Sequence, residues 1–170
     1  DREFVLKRYN IKGFWHGISR LMQPSRAHHS WRNAWMLEML GIATPHPFLM
    51  LEERVLWLFR RRAYFLMEKV PAANLTDQLE SGVVTPGEVA ESFEKLFQTL
   101  HAYRVSHGDM KATNFIFNDQ KLYVLDLDAM RRHKSQPRFD TASARDLARF
   151  QRNWKGSEFE KVFTEISEPA

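Results

Sequence analysis

Four side chains capable of chemistry lie within eight positions of the stretch HGDMKATNFIF, residues 107–117: His107, Asp109, Lys111 and Asn114. A carboxylate can accept a proton, a lysine amine can neutralise an anion, and an amide oxygen can ligate a hard cation. The stretch then becomes apolar, as at the start of a strand. A turn has little structural need for so many polar groups, so we interpret the stretch as a candidate reaction site.

The residues that follow Asn114 predict a β-hairpin. In FIFNDQKLYVLDLD (115–128), two apolar runs flank the polar turn NDQK. Pairing centred on Gln120 places Asn114 opposite Asp126, so that an amide oxygen and a carboxylate meet at the open end of the hairpin. Mg²⁺ takes one or two such protein ligands and adds water and phosphate oxygens. Asp109 lies on the loop that enters the same end.

The elements that precede this loop predict a β-rich part of the chain. FVLKRY (4–9) is typical of a strand, and residues 10–25 of a loop. Apolar residues at helical spacing predict a helix over 26–40, which Gly41 ends. The runs RVLWLF and AYFLMEKV predict a second hairpin, with its turn at 60–62. The residues that set the helical spacing are Trp31, Ala34, Trp35 and Met39.

The rest of the chain reads as mostly helical. A short helix is predicted at 74–80, and TPGE (85–88) is a strong start signal for a longer one, with a threonine cap and a proline in the first turn. Two further helical patterns cover 140–154 and 157–166. The apolar face of the longer helix comprises Val89, Phe93, Leu96, Phe97, Leu100 and Tyr103.

Composition narrows the class of protein. The 170 residues, 44% hydrophobic, suffice for a folded core of one domain or one and a half. The absence of cysteine excludes disulfides and thiolate metal sites, and no apolar run reaches the roughly 20 residues that cross a bilayer. No Walker loop occurs. The net charge of +4 favours anionic partners, although the runs FRRRA and MRRHK could each be a solvated loop.

HGDMKATN resembles the catalytic loop of kinases, and VLDLD resembles the metal-binding segment that follows it. The resemblance implies that Asp109 orients the acceptor hydroxyl and takes its proton, and that Lys111 neutralises the transferred phosphoryl group. Asn114 and Asp126 would hold metal ions, and His107 would brace the loop. The order of elements, from lysine strand to metal segment, agrees over nearly the whole chain.

The same resemblance implies roles for residues outside the loop. Lys7 would grip the α- and β-phosphates, and Glu68 would lie in the hinge whose backbone holds adenine. Asp128 is either a further metal ligand or a cap, and Asp146 anchors the backbone of the catalytic loop from a helix start or is an ordinary exposed carboxylate. The helix at 26–40 contains one glutamate, Glu38, near its end, so the partner of Lys7 stays unassigned.

Within the kinase-like superfamily the chain is most similar to the lipopolysaccharide kinase family, which phosphorylates heptose or Kdo in the lipopolysaccharide core. The segments that carry this resemblance are SRAHHSWRNAWMLEMLGIATPHP, YFLMEKV, HGDMKATNFIF, LDLDAMR and RDLARF. They imply an α+β, protein-kinase-like fold of two lobes, an N-lobe portion at 1–70 and a C-lobe at 71–170. The N-lobe is expected to be truncated before the lysine strand, because no glycine-rich strand pair precedes Lys7.

The implied enzyme is a phosphotransferase that uses ATP and Mg²⁺ and acts on an anionic glycolipid or core oligosaccharide. Its expected location is the cytoplasm, with peripheral contact at the inner membrane of a Gram-negative bacterium, and no nucleic acid is expected as a partner. Two alternatives stay open from the sequence. One is an atypical protein kinase of the RIO or Kae1-associated type, in which HGD loops also occur, and the other is a kinase-shaped binding module without catalysis.

Overall fold

The computed structural model describes residues 2–10, 24–55 and 59–166, which form a mixed α/β fold. Within these residues the elements are, in chain order, β1 (Phe4–Asn10), α1 (Arg26–Met39), β2 (Pro47–Val55), β3 (Phe59–Glu68), α2 (Leu75–Glu80), α3 (Pro86–Ala102), β4 (Val105–Ser106), a 3₁₀ turn (Ala112–Asn114), β5 (Phe115–Asn118), β6 (Lys121–Val124), β7 (Arg131–Arg132), α4 (Gln136–Arg152) and α5 (Glu160–Thr164). The loop predicted at 10–25 falls largely outside the described residues.

An antiparallel sheet of three strands in the order β1-β3-β2 contains the predicted lysine strand. Lys7 of β1 lies opposite Phe65 of β3. Exposure alternates along β1, so Val5, Lys7 and Tyr9 turn inward while Phe4 and Leu6 face solvent. The strand therefore delivers one amine to the inner face of the sheet, where α1 packs.

The predicted turn at Arg60–Arg62 was wrong, because these arginines lie within β3. Val55 pairs with Phe59, which places the connection at 56–58, outside the described residues. Charged side chains that would be typical of a loop are stabilised here across the strands: Glu53 lies 3.4 Å from Arg61 and 3.8 Å from Arg62. Ion pairs on an exposed sheet face thus produced a sequence pattern that resembles a turn.

Helix α1 is confirmed, but its buried face is not the one that apolar spacing indicated. Ser25 caps the helix by accepting a hydrogen bond from the His28 N–H. Met39 is 79% exposed and Trp35 38%, whereas Asn33 is buried. The side chain of Asn33 is satisfied by carbonyls elsewhere in the chain, so this helix buries polar groups for which hydrophobic periodicity has no signal. The buried positions of α1 are Ala27, Ser30, Asn33, Ala34 and Leu37.

Helix α3 begins and packs as predicted. Thr85 and Glu88 form a reciprocal capping box, and Pro86 occupies the first turn. Five of the six predicted apolar positions are buried, while Tyr103, at the C-terminal cap, is 46% exposed. Tyr103 departs from the prediction because the helix ends at Ala102 and the chain leaves its face there.

Aromatic rings form the centre of the core. Phe93 is fully buried, with ring centroids 4.9 Å from Phe115 at the start of the hairpin and 4.5 Å from Phe150 in α4. A further contact joins Phe93 to Phe163 of α5 at 6.3 Å. The ring cluster therefore holds α3, α4 and α5 against the hairpin that carries the candidate site. Among the described residues, no helix is long and apolar enough to cross a membrane.

Replacing Phe93 by alanine is expected to lower the free energy of unfolding by about 3–5 kcal/mol, because it empties the middle of this cluster. Phe48→Ala is the matched control. It removes the same ring from a site that is 41% exposed, and is expected to cost about 1 kcal/mol. Denaturant titration of both variants measures the difference, and equal losses would contradict the central place of Phe93.

Candidate active site

The hairpin that follows the catalytic-loop candidate is present, with a register shifted by one residue. Phe115 pairs with Val124 and Asn118 with Lys121. Asn114 therefore lies opposite Leu125, whose N–H it binds through its carbonyl at 2.9 Å, and not opposite Asp126 as predicted. The physical reason is the turn: Asp119 and Gln120 both have positive φ, at 48° and 60°, so two residues connect the strands and the pairing centre falls between them.

The next residue, Asp126, leaves the strand with a φ of 56°. This left-handed conformation ends the ladder and turns the chain into the segment LDLD. The Lys7 Nζ lies 2.9 Å from the Asp126 Oδ1, and each side chain is about one-third exposed. Burial alone would raise the pKa of the Asp126 carboxyl, but the hydrogen bond and charge of Lys7 outweigh it and hold that pKa below its usual range.

Gly108 occupies a position that requires glycine twice over. Its φ is +83°, and a Cβ there would lie 3.0 Å from both the Cβ and the carbonyl oxygen of Ala129. The loop and the segment after Asp126 thus touch backbone to backbone. This contact explains why glycine follows His107, since any larger residue would push the two candidate site segments apart.

His107 braces the loop, as the resemblance implied. Its ring is fully buried, its Nε2 lies 3.0 Å from the Leu125 carbonyl, and its Nδ1 accepts the Asp109 N–H at 3.2 Å. Burial lowers the pKa of His107, which favours the neutral ring. The neutral ring with its proton on Nε2 can make both hydrogen bonds. It thereby links Leu125 to Asp109, the candidate base.

A buried carboxylate fixes the other side of the loop. Asp146 accepts the N–H of His107 at 2.6 Å and of Gly108 at 2.9 Å. The anchoring role of Asp146 is therefore present in the structure, although the residue lies well inside α4 and not at a helix start. Asn153, just beyond α4, adds a hydrogen bond of 2.7 Å to the Met110 carbonyl.

Asp109 lies between two cations. Its Oδ2 is 3.1 Å from the Lys111 Nζ, and its Oδ1 is 3.0 Å from the Arg149 Nε. The Asn114 amide donates to the Asp109 carbonyl at 2.9 Å, which also fixes the direction of the asparagine side chain. The Arg149 Nε is buried and makes no aligned hydrogen bond, so its contact with Asp109 is one of charge and proximity. The loop thus presents a carboxylate whose position is set on every side.

Helix α1 contacts the segment after Asp126 through polar groups. The Asn33 amide donates to the carbonyls of Leu127 and Met130, at 2.8 and 3.0 Å. Arg26 forms an ion pair with Asp128, which makes Asp128 a docking residue for α1 in this structure. The Lys7 amine contacts Asp126, whereas Glu38, the one glutamate of the helix, pairs with His46 at 2.7 Å.

The remaining predicted residue, Glu68, ends β3 with an exposed side chain. Its N–H bonds to the His46 carbonyl at 2.9 Å. Two positions on, the N–H of the buried Val70 has no acceptor within the described ranges. A small pocket between the sheet and the segment after the hairpin is lined by residues that include Lys7, Phe65, Met67 and Asp126.

The residues at the hairpin mouth suit a magnesium ion held together with phosphates. The Asn114 Nδ2 is used by the Asp109 carbonyl, so its Oδ1 is left as an acceptor, and Lys7 contacts one oxygen of Asp126. These are hard oxygen donors. Across the part of the chain that the structure describes, no group of three or more His, Asp or Glu side chains could hold a metal ion.

The model of the lipopolysaccharide kinase (Kdo/WaaP) family matches residues 1–165. The chain belongs to this family. It is therefore a member of a kinase family, and the predicted resemblance to the lipopolysaccharide kinase family is confirmed. No curated protein matches the sequence.

One matching solved structure is that of WaaP in complex with acyl carrier protein. The TM-score is 0.65 at 17% identity, and the match covers 97% of this chain and 69% of that one. At that identity the likeness shows a shared mixed α/β fold. It does not transfer the acyl carrier protein to this lipopolysaccharide kinase family member as a partner.

Sequence reasoning missed Arg149, Asn33 and Asn153 as neighbours of the site. Arg149 follows Asp146 by three residues, so once Asp146 is placed against the loop, helical spacing brings Arg149 to the same side. That signal was available in RDLARF. Nothing local in the sequence marks Asn33 or Asn153, because their partners are carbonyls of distant residues.

Three glycine-to-alanine variants distinguish two reasons why Gly108 must be glycine: its left-handed φ and its close contact with Ala129. Gly108→Ala is expected to lower the free energy of unfolding by about 2–4 kcal/mol, since it adds left-handed strain to a clash with Ala129. Gly82→Ala, at φ +68° with open space around it, carries the strain alone and should cost about 1 kcal/mol.

Gly87→Ala is the second control, because Gly87 lies in α3 with ordinary φ and free space. It should be neutral or stabilising by up to about 1 kcal/mol. Denaturant titration measures all three. A loss at Gly108 no larger than at Gly82 would show that the contact with Ala129 is unimportant.

Proposed function

We propose that the protein is an ATP-dependent kinase that transfers a phosphoryl group to a sugar hydroxyl, of heptose or Kdo, in the lipopolysaccharide core. The observation that carries the proposal is the set of side chains at one hairpin mouth. Asp109 and Lys111 lie in contact there, and Asp126 binds Lys7 from the distant strand β1. Family membership supports a kinase reaction, and this set supplies residues for each part of it.

In this proposal the fold is protein-kinase-like, with lobes at 1–70 and 71–170 and the nucleotide between them. Lys7 contacts the α- and β-phosphates. The hinge at Glu68 holds adenine through its backbone, for which the donor is the Val70 N–H, which has no acceptor among the described residues. The Lys7–Asp126 contact, which bridges the two parts of the chain, supports this arrangement because it points the amine at the hairpin mouth.

Asn114 and Asp126 would hold Mg²⁺ with the phosphate oxygens. The ion would offset the charge of the phosphates during transfer. Lys7 keeps the pKa of Asp126 low, so this carboxylate stays ionised and able to bind a cation at neutral pH.

The oxygen of the acceptor hydroxyl bonds to the γ-phosphorus, and the bond from that phosphorus to ADP breaks. Asp109 receives the proton that the hydroxyl loses. Lys111 stabilises the negative charge of the phosphoryl group in transit. Arg149 and Lys111 hold the carboxylate in place, while the Asp146 hydrogen bonds fix the backbone beneath it. Positioning and charge thus account for what the chain contributes to the transfer.

The acceptor in this proposal is an anionic glycolipid or its core oligosaccharide. The enzyme acts in the cytoplasm, in peripheral contact with the inner membrane, where the acceptor is presented. The net charge of +4 supports an anionic partner, and no nucleic acid is proposed. Neither a protein acceptor nor a purely structural role has an observation in its favour.

Replacing Asp126 by asparagine tests the metal site. Wild-type protein is expected to bind ATP more tightly with Mg²⁺ than without, and Asp126→Asn should reduce that gain about tenfold or more, because a charged ligand is lost. Calorimetric titration with and without the ion measures the gain.

Asp119→Asn is the matched control for this variant, since asparagine tolerates the positive φ of the hairpin turn. Its Mg²⁺-dependent gain should equal that of the wild type. An unchanged gain in Asp126→Asn would remove Asp126 from the metal site.

Asp109→Asn tests the reaction itself. Turnover with purified core oligosaccharide should fall about 10²- to 10⁴-fold, because a positioned proton acceptor is lost. ATP affinity should change little, since Asp109 lies outside the groups assigned to the nucleotide. Asp140→Asn, an exposed substitution in α4, serves as the control and should retain full turnover. Wild-type turnover in Asp109→Asn would disprove the kinase assignment of the loop.

A further inference from the structure

The positive charge of the chain is concentrated in one segment. Residues 131–152 contain seven lysines and arginines and two aspartates, which gives +5 against +4 for all 170 residues. The rest of the chain is therefore close to neutral, at −1. This segment comprises β7 and α4, so the excess charge lies beside the loop that α4 anchors.

Four arginines of α4 lie along one side of the helix: Arg138, Arg145, Arg149 and Arg152. At 3.6 residues per turn, their directions fall within about 60° of one another, and they extend over about 21 Å of the axis. We call this set the arginine stripe. Arg138, Arg145 and Arg152 are exposed, and Arg149 is half-buried.

The charge of the stripe is mostly free to bind a ligand. Among the described residues, no carboxylate lies within ion-pair distance of Arg138, Arg145 or Arg152. The two aspartates of α4 are used elsewhere: Asp146 binds the loop backbone, and Asp140 accepts a hydrogen bond from Gln136. Asp140 also lies on nearly the opposite side of the helix from the stripe.

The stripe leads to the candidate base. Arg149 is the member that touches Asp109, with Nε 3.0 Å from Oδ1, and Lys111 adds a half-exposed cation on the other oxygen. Arg138 and Arg145 lie about 16 and 6 Å away from Arg149 along the axis, toward the start of α4. A molecule that places a hydroxyl at Asp109 and extends along the helix therefore meets two to four guanidinium groups.

We propose that the arginine stripe is a binding site for the phosphate or carboxylate groups of the saccharide acceptor, and that it aligns the acceptor hydroxyl with Asp109. This deepens the proposed function and rests on it for the identity of the acceptor. Guanidinium groups match phosphate and carboxylate in shape as well as charge. The stripe selects acceptors that carry anionic groups at a distance from the reacting hydroxyl.

The test is direct binding of phosphorylated core oligosaccharide in the absence of nucleotide. Arg138→Gln/Arg145→Gln is the test variant, since both residues are exposed and neither touches Asp109 or the core. Its affinity should fall roughly 5- to 30-fold, as expected for the loss of two solvent-exposed charge contacts. The wild-type affinity should weaken with added salt more steeply than that of the variant.

Lys95→Gln/Lys161→Gln is the matched control. It removes the same charge from exposed positions on α3 and α5, and it should bind the oligosaccharide as the wild type does. An equal loss of affinity in both double variants would show that only net charge matters. It would refute the arginine stripe as the binding site. Equal wild-type affinity for the phosphorylated oligosaccharide and for its dephosphorylated, carboxyl-reduced form would also overturn it.

An additional binding experiment with lipid vesicles distinguishes a binding site for the acceptor from a surface that binds membranes. Phosphatidylcholine vesicles with and without phosphatidylglycerol are added to the wild type and to both double variants. Loss of vesicle binding in Arg138→Gln/Arg145→Gln, with oligosaccharide binding retained, would make the stripe a membrane contact and overturn the proposal.

Wild-type binding of oligosaccharide without phosphoryl transfer would refute the kinase function and leave the stripe standing, whereas absent binding would refute the stripe whatever the activity.

Discussion

The position of the whole candidate site depends on one buried carboxylate, that of Asp146. It accepts the two consecutive backbone N–H groups of His107 and Gly108. These donors would otherwise be unsatisfied in a poorly solvated place, at a cost of about 1–3 kcal/mol each. The bond fixes the backbone just before Asp109, and Gly108 then allows the segment at Ala129 to close against it. The candidate base and the segment after Asp126 are thereby placed through backbone contacts, and their carboxylates contact cations from other parts of the chain.

A second dependence links the two ends of the site. Asp126 takes a left-handed φ immediately after β6, which ends the hairpin and turns its carboxylate to Lys7. Asn33 holds the following residues through two carbonyls, so α1 is attached to the segment after Asp126 by an amide as well as by the ion pair between Arg26 and Asp128. An amide keeps its hydrogen bonds at any pH, and it leaves the Lys7 amine for Asp126. The support from Asn33 is therefore neutral, whereas the contact between Lys7 and Asp126 is a charged one that phosphates could replace.

The sequence predicted elements well where the signal was local. The capping box at Thr85 and the helix stop at Gly41 are short-range patterns, and the structure has them. The turn at Arg60–Arg62 failed because cross-strand ion pairs are not visible along the chain. The hairpin was right and its register wrong by one residue, because two adjacent positive φ angles at Asp119 and Gln120 cannot be read from NDQK alone.

In the candidate site, too, features with a local sequence signal were predicted, whereas most contacts between distant residues were not. Residues within HGDMKATN were predictable because they are near one another in sequence and carry a recognisable order. Arg149 could be found only from its helical spacing to Asp146, whereas Asn33 binds a carbonyl 94 residues away and required the tertiary structure. Polar side chains that bind backbone leave no hydrophobic period and no charge partner to find.

The contact between Arg149 and Asp109 finally indicates how the candidate base can be both held and available. Oδ2 is engaged by Lys111, with the Asn114 amide at 3.4 Å. Oδ1 faces the Arg149 Nε at 3.0 Å without an aligned hydrogen bond. A lone pair of Oδ1 is thus open to a hydroxyl, and the positive charge of the guanidinium lies beside it. Because Arg149 is also a member of the arginine stripe, an anionic acceptor that draws Arg149 toward itself would weaken its hold on Oδ1 as the hydroxyl approaches. Acceptor charge and proton acceptance would then be coupled through one side chain.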